Sequence, residues 1–199
     1  MTNLEIAELL RRVAAAYQIL RENRFRIIAY ERAADSIEHL TSELKDYWDD
    51  KKLEEIPGIG EQLAQHLDEL FRTGHAKHFD SVMAKLPASI YPLLLIPGIG
   101  PKKAYKLVKE LGLHEEKHVV ETLEKAAKSG KIAPLFGFCK KTETNILQGL
   151  EFLKRDKGRF LLGDILPQVK ETYDKLKNLK EAEKIDYCGS IRRMKETIG

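Results

Sequence analysis

The sequence predicts a mainly α chain in which short helices are joined by glycine-bearing hairpins, with one strand close to its end. Three observations carry this. Apolar residues recur at helical spacing as Ile6, Leu10, Val13, Tyr17 and Leu20, and again as Ile28, Ala33, Ile37 and Leu40. A unit made of a tight glycine turn followed by a helix is written three times along the chain. Finally, "KIDYCGS" (184–190) is the best strand candidate, running into a Gly-Ser turn and two arginines.

Taken in order, Thr2 followed by Glu5 predicts a capping box, each side chain satisfying a free amide at the start of the first helix. "RFRIIAYERAADSIEHL" continues the helical pattern. Between residues 41 and 150, helices of about 8 to 15 residues are punctuated by Gly and Pro. "KLPASIYPLLL" (85–95), with two prolines and no clear period, is the first expected domain boundary. "KRDKGRFLLGD" (154–164), charged and glycine-bearing, is the second. "ILPQVKETYDKLKNL" reads as a helix, and the lysines from Lys170 to Lys184 alternate with acids as on a solvated face.

The 199 residues suffice for one large or two small domains. A third of them are charged and no apolar run approaches a membrane span. The N-terminus "MTNLEIAELLRR" carries acids and begins an amphipathic helix at once, unlike a signal peptide. Cys139 and Cys188 lie far apart without a CxxC, which argues against a disulfide framework or a zinc site, and a cytoplasmic protein is expected. The net charge of +3 conceals an asymmetry: −5 over residues 1–80, +7 over 81–159 and +1 over 160–199. A polyanion would contact the middle most heavily. His75 with His78, and His114 with His118, have metal-compatible spacing but no converging acid or thiol, and are read as solvated helix faces. Trp48 either stacks a base or, the preferred reading, anchors a turn. Tyr105 sits at helical spacing with Val108 and is read as core.

The repeat carries the chemistry. "EIPGIGEQLAQHLDEL" begins at Glu55, "LIPGIGPKKAYKLVKEL" at Leu95 and "LFGFCKKTETNILQGL" at Leu135, spaced 40 and 39 residues on Gly58, Gly98 and Gly137. The second glycine, Gly60 and Gly100, becomes Cys139 in the third copy. Glycines permit positive φ, so the chain reverses in few residues. The helix that follows starts with unpaired amides, and its dipole favours an anion such as phosphate. Lys102, Lys103 and Lys106, and later Lys140 and Lys141, would add phosphate contacts. Such a device reads backbone rather than bases. The plainer alternative is a tight connection that only packs two apolar helix faces.

"IPGIG" followed by a helix resembles the helix-hairpin-helix motif of DNA repair proteins. That resemblance implies a phosphate held by hairpin amides and a monovalent cation, Na⁺ or K⁺, held by backbone carbonyls. These would be the carbonyls of Glu54, Ile56 and Ile59 in the first copy, and of Leu94, Ile96 and Ile99 in the second. The third copy lacks the Pro and the second Gly, and is expected to be structural. Two hairpins followed by "CGSIRR" resemble family X DNA polymerases of the DNA polymerase β group, over the whole chain and in order. The implied architecture is an N-terminal helix-hairpin-helix domain (1–84) on the 5′ side of a DNA gap and a second DNA-binding subdomain (85–157) on the primer side. The start of an α/β nucleotidyltransferase palm (158–199) would follow.

The resemblance further implies site residues. Gly98, Ile99, Gly100, Lys102 and Lys103 would serve the primer-side phosphate, and Gly58, Ile59 and Gly60 the downstream strand. Arg26, where the family has a lysine, and Tyr30 would hold a 5′-phosphate, although Tyr30 equally fits a core-edge tyrosine. Gly189, Ser190 and Arg193 would bind an incoming triphosphate, with Arg192 supporting. Gln62 and His66 stand where the animal enzyme has two lysines, one of which forms a Schiff base. Histidine has no primary amine, so no efficient lyase by that route is expected. Lys51 or Lys52 is an outside alternative. The pattern resembles the bacterial and archaeal branch, implying a cytosolic or nucleoid protein, whose full-length members often add a phosphoesterase domain. Two-metal catalysis needs an Asp-x-Asp to hold Mg²⁺, and none occurs among these residues. The expectation is therefore a monomeric DNA-holding piece, inactive alone, that binds gapped or nicked duplex. Deoxynucleoside triphosphate and Mg²⁺ would belong to the full-length enzyme. The alternative is a non-catalytic helix-hairpin-helix scaffold.

Overall fold

The computed structural model describes residues 1–156, 160–177, 185–193 and 197–198. They fall into two compact units, Met1–Leu147 and Gln148–Gly199. The first unit opens with α1 (Asn3–Leu20) and α2 (Arg24–Glu38). The Thr2 hydroxyl accepts the Glu5 amide at 3.3 Å, and the Glu5 carboxylate accepts the Thr2 amide at 2.7 Å, so the expected capping box forms. Arg21, in the left-handed conformation, ends α1, and the Asn23 side chain caps α2 by accepting the Phe25 amide. The two helices pack as a pair. Ile6, Leu10, Val13 and Tyr17 of α1 bury against Ala33, Ala34 and Ile37 of α2, each fully burying side chain contributing about 1.5–3 kcal/mol when large and apolar. Across the pair, Arg11 reaches both Asp35, at 2.8 Å, and Glu38.

Next come α3 (Leu44–Asp49), a 3₁₀ turn (Leu53–Glu55), α4 (Glu61–Thr73) and α5 (Lys77–Met83). Trp48 anchors here: its indole donates to Asp68 at 2.8 Å and its ring stacks on Phe71 at 5.2 Å. α6 (Ile90–Leu93), α7 (Pro101–Glu110), a second 3₁₀ turn (Glu116–His118) and α8 (Val119–Lys128) follow, and α9 (Lys140–Asp156) runs across the division. The stretch 85–95 does not separate two units. Ile90, Tyr91 and Leu93 are buried, and the Tyr91 hydroxyl donates to the Met83 carbonyl at 3.0 Å. Its prolines therefore lie in a packed segment.

The second unit holds β1 (Phe160–Leu161), α10 (Leu162–Lys177), α11 (Gly189–Arg192) and β2 (Thr197–Ile198). β1 and β2 pair antiparallel, Phe160 opposite Ile198 and Leu161 opposite Thr197. The strand expected over 184–190 is not formed by its described residues. Cys188 is extended (φ −130°, ψ 177°), but Ile185–Cys188 joins no ladder, because among the described residues no neighbouring strand takes its backbone groups. Tyr187 instead stacks on Tyr173 of α10 at 4.7 Å. Among the described residues no helix is long and apolar enough to cross a membrane.

Glu143, in the first turn of α9, is one of the few charged side chains buried in the first unit, at 8% exposure. Its carboxylate accepts the amides of Ile132 and Ala133 at 2.9 and 3.0 Å, tying the loop before α9 to the helix. Glu143→Ala leaves two part-buried amides unpaired. It is expected to lower unfolding free energy by about 2–4 kcal/mol, read as a fall in urea midpoint at constant slope. A midpoint within error of the parent would show that water replaces the carboxylate.

Candidate nucleic-acid interface

The three repeats fold into the same turn. The amide of Ile59 donates to the Ile56 carbonyl at 3.0 Å, that of Ile99 to Ile96 at 3.0 Å, and that of Phe138 to Leu135 at 2.9 Å. The residue before each donor is a glycine at positive φ: Gly58 at +91°, Gly98 at +86°, Gly137 at +79°. This is a type II turn, with Pro57 and Pro97 at the position that favours proline. Each turn leads into a helix, and the bond that starts it also repeats: Ala64 to Gly60, Ala104 to Gly100, Glu143 to Cys139, at 2.9, 2.9 and 3.0 Å.

The second glycine of each motif does something different. Gly60 (φ −93°) and Gly100 (φ −85°) have ordinary backbones that any residue adopts. A Cβ added at either would meet nothing within 4 Å. No strain and no internal clash require glycine there. Its effect is outward: the amides at the starts of α4 and α7 are uncovered. No side chain caps either helix, and no backbone carbonyl among the described residues takes the amides of Gly60, Glu61 and Gln62, or of Gly100, Lys102 and Lys103. Unpaired amides at the positive end of a helix dipole suit an anion.

The two turns differ in what backs them. A Cβ at Gly58 would lie 2.9 Å from the Ala33 nitrogen, so the first turn is pressed against the backbone of α2. A Cβ at Gly98 would meet nothing within 4 Å, so the second turn is not pressed against a neighbour there. Ile59 and Ile99, expected to touch the ligand, are buried to 4% exposure and their amides are used within the turns. They hold the turns in place. Lys102 and Lys103 are exposed at the start of α7, and the Lys103 ammonium donates to the Gly98 carbonyl at 3.3 Å. In the third copy Lys140 and Lys141 are exposed, but Glu143 supplies an anion of the protein's own at that helix start.

Arg26 and Tyr30 come together with the first hairpin. A cavity of about 420 Å³ is lined by Tyr17, Arg26, Tyr30, Gly58, Gly60, Glu61, Gln62, His66 and His78. Tyr30 is buried between the rings of Tyr17 (5.3 Å) and Phe79 (6.0 Å), and burial raises its phenol pKa far above the ordinary value. The Arg26 guanidinium lies 5.4 Å from the Tyr17 ring centroid and 3.6 Å from Glu22. No lysine lines the cavity. Lys51 borders a different cleft beside Trp48, and Lys52 is paired with Asp50 at 2.8 Å.

His78 is not on a solvated face. Its ring stacks parallel on His66 at 4.4 Å, and its Nε2 shares a 2.5 Å hydrogen bond with the Tyr17 hydroxyl. His75, His114 and His118 are exposed, as expected. Tyr105 is half-buried on the wall of a cleft it shares with Arg21, Arg24, Lys102, Lys106 and Lys109, and is not core. Sequence reasoning missed Tyr17 and His78 as cavity residues because 61 positions separate them. In the second unit Gly189 adopts φ +60°, the Arg193 amide donates to its carbonyl at 3.4 Å, and Arg192 and Arg193 are exposed. The Ser190 side chain lies outside the described residues.

Both stacked histidines resist protonation. Burial chiefly, then the neighbouring His78, lowers the pKa of His66, against a raising pull from Glu69. Burial chiefly, then Arg26 and Lys85, lowers that of His78. The unfolded chain therefore takes up these protons near pH 6.5 while the folded chain holds off until a lower pH. Stability is expected to be level above pH 7 and to fall as pH drops from about 6.5. The double variant His66→Gln/His78→Gln is expected to show a shallower fall in that window when urea midpoints are compared. An equally steep fall would place the titration elsewhere.

Residues 1–76 match the family model described as a helix-hairpin-helix domain. The whole chain is similar to the DNA polymerase/3′-5′ exonuclease PolX of Bacillus subtilis (strain 168). The two are 31% identical over 198 residues, which is 100% of this chain and 34% of that relative. The chain thus spans about a third of the relative's length. With tandem turns of one geometry, a matched helix-hairpin-helix domain and 31% identity over its whole length, the chain is helix-hairpin-helix-containing and similar to a family X DNA polymerase.

Proposed function

We propose that the chain binds gapped or nicked duplex DNA without regard to sequence, as the N-terminal part of a family X polymerase acting in repair synthesis. One observation carries the reading: two helix starts with uncovered amides stand behind turns of identical geometry. In this reading Gly98, Gly100, Lys102 and Lys103 hold the primer-side phosphate. Gly58 and Gly60, with Arg26 and Tyr30, hold the downstream 5′ side. The net charge of +7 over 81–159 supports a stronger grip by the second hairpin.

A monovalent cation fits the hairpins. The carbonyls of Glu54 and Ile59, and of Leu94 and Ile99, accept no backbone amide among the described residues, while those of Ile56 and Ile96 close the turns. Neutral carbonyl donors suit Na⁺ or K⁺, which would neutralise a phosphate charge beside the amides. Gly189, Ser190 and Arg193 would receive a nucleoside triphosphate, with Mg²⁺ held by carboxylates that this sequence does not contain. The cavity beside the first hairpin would bind a 5′-phosphate without covalent chemistry, since its wall offers no primary amine. The protein acts as a monomer in the cytosol or nucleoid.

The test separates amides from fold. Gly100 has room and an ordinary φ, so Gly100→Leu is expected to fold normally while blocking approach to the α7 amides. Affinity for gapped duplex is expected to drop about tenfold or more, the loss of one or two charge-assisted hydrogen bonds. The slope of log affinity against log salt is expected to be negative and to become shallower in the variant. A flat slope in the parent chain would end the phosphate-clamp reading.

A further inference from the structure

The third hairpin repeats the turn of the other two but places an aromatic ring at its tip. Phe136 occupies the position of Pro57 and Pro97, the residue before the positive-φ glycine. All three tips face solvent, and Phe136 is 88% exposed. Turn geometry favours proline at this position and gives no preference to phenylalanine. A ring so exposed contributes almost no burial to the fold.

Its surroundings are cationic. The Lys106 ammonium, from the helix that follows the second hairpin, lies 4.4 Å from the Phe136 ring centroid and 6.0 Å from that of Phe138. It also lies 3.2 Å from where a methyl group on Gly137 would stand, so the tip of the third hairpin and α7 form one surface. Lys106 is six residues beyond Gly100, about 9 Å along the helix axis at 1.5 Å per residue. That distance corresponds to about three stacked nucleotides at 3.4 Å each. A strand whose phosphate rests on the α7 amides and which runs along α7 would pass this ring within a few nucleotides.

We propose that Phe136 is a stacking platform for an unpaired base on the strand held by the second hairpin, with Lys106 supporting the ring on one side and facing the backbone phosphate. The proposal rests on the DNA-binding reading above. It commits to a nucleobase because exposed aromatic and ammonium groups together match a single strand, apolar in its base faces and anionic in its backbone. A protein partner's apolar patch would leave those charges without a counterpart. It also gives the third hairpin a task distinct from phosphate binding, for which Glu143 disqualifies it.

The test compares two DNAs of equal length, one with a single-stranded gap and one with only a nick. Phe136→Ala is expected to weaken binding to the gapped DNA by about 5- to 150-fold, the range for losing one base–aromatic stack, and to leave nicked-duplex binding unchanged. Phe136→Trp is expected to retain gapped-DNA affinity and to show quenching of its indole fluorescence on binding. Equal affinity of Phe136→Ala and parent for the gapped DNA overturns the proposal. Equal losses on both DNAs also overturn it, since the ring would then serve the fold or general binding. A concentration-dependent self-association that Phe136→Ala abolishes assigns the ring to a second copy and overturns it too. If the parent chain binds neither DNA, the DNA-binding reading itself has failed, a result distinct from a selective or absent effect of the variant.

Discussion

A single backbone hydrogen bond, from the second isoleucine of I-P-G-I-G to the carbonyl of the first, sets the geometry on which the candidate interface depends. In the type II form seen here the intervening glycine takes positive φ, and the turn sends the chain straight into a helix. Both isoleucines of each motif are buried, so core packing and the turn bond reinforce one another. The orientation of the helix-start amides is thereby fixed by the core and not by a flexible loop. That is the preorganisation an anion site needs, because amides already aimed at the ligand cost little ordering entropy on binding. The first turn is held further by contact with α2, where no side chain at Gly58 would fit. The second turn relies on its own bond and its isoleucines.

The third hairpin keeps this geometry with different side chains around it. The turn bond, the positive-φ glycine and the helix-start bond all persist. Yet a carboxylate now sits in the first turn of α9 and binds two loop amides. A negative side chain there satisfies the helix dipole internally and repels an incoming phosphate. Fold and ligand chemistry have separated: the turn survives as a way to join helices, and its tip is free to carry another side chain.

Features set by neighbours in sequence were readable from the sequence alone. The capping box at Thr2 and Glu5, the helical faces of α1 and α2, and the turns at Gly58, Gly98 and Gly137 depend on residues within a few positions of one another. Features set by distant partners were not readable. Nothing local in "HAKHFD" announces that His78 meets Tyr17 and stacks on His66. Nothing near Tyr105 shows that it lines a cleft of mixed charge, where Glu22, Glu31 and Glu110 accompany the basic residues. The prolines of 85–95 resemble a linker until the burial of Ile90 and Leu93 is known. "KIDYCGS" has strand-like composition, but a strand exists only with a partner, and the partner is a tertiary fact. The glycines illustrate both sides. Gly98 was legible as a turn residue, whereas the outward role of Gly100 needed the observation that its surroundings are empty.

The cavity beside the first hairpin follows the same logic of exchanging chemistry on a kept frame. Its helices bring Arg26, Gln62, His66 and His78 to one wall. Two of those side chains are imidazoles whose pKa is lowered, chiefly by burial, and one is an amide. The permanent cation among them is Arg26, which already leans toward Glu22. Such a wall attracts a phosphate far less than a set of lysines would, and it offers no amine to attack an aldehyde. Binding there must draw on the uncovered amides of α4 as much as on side-chain charge. The acidic balance of residues 1–80 points the same way, because long-range attraction is supplied by the basic middle of the chain. In the proposed function, the first hairpin therefore positions a strand that the second hairpin has already captured.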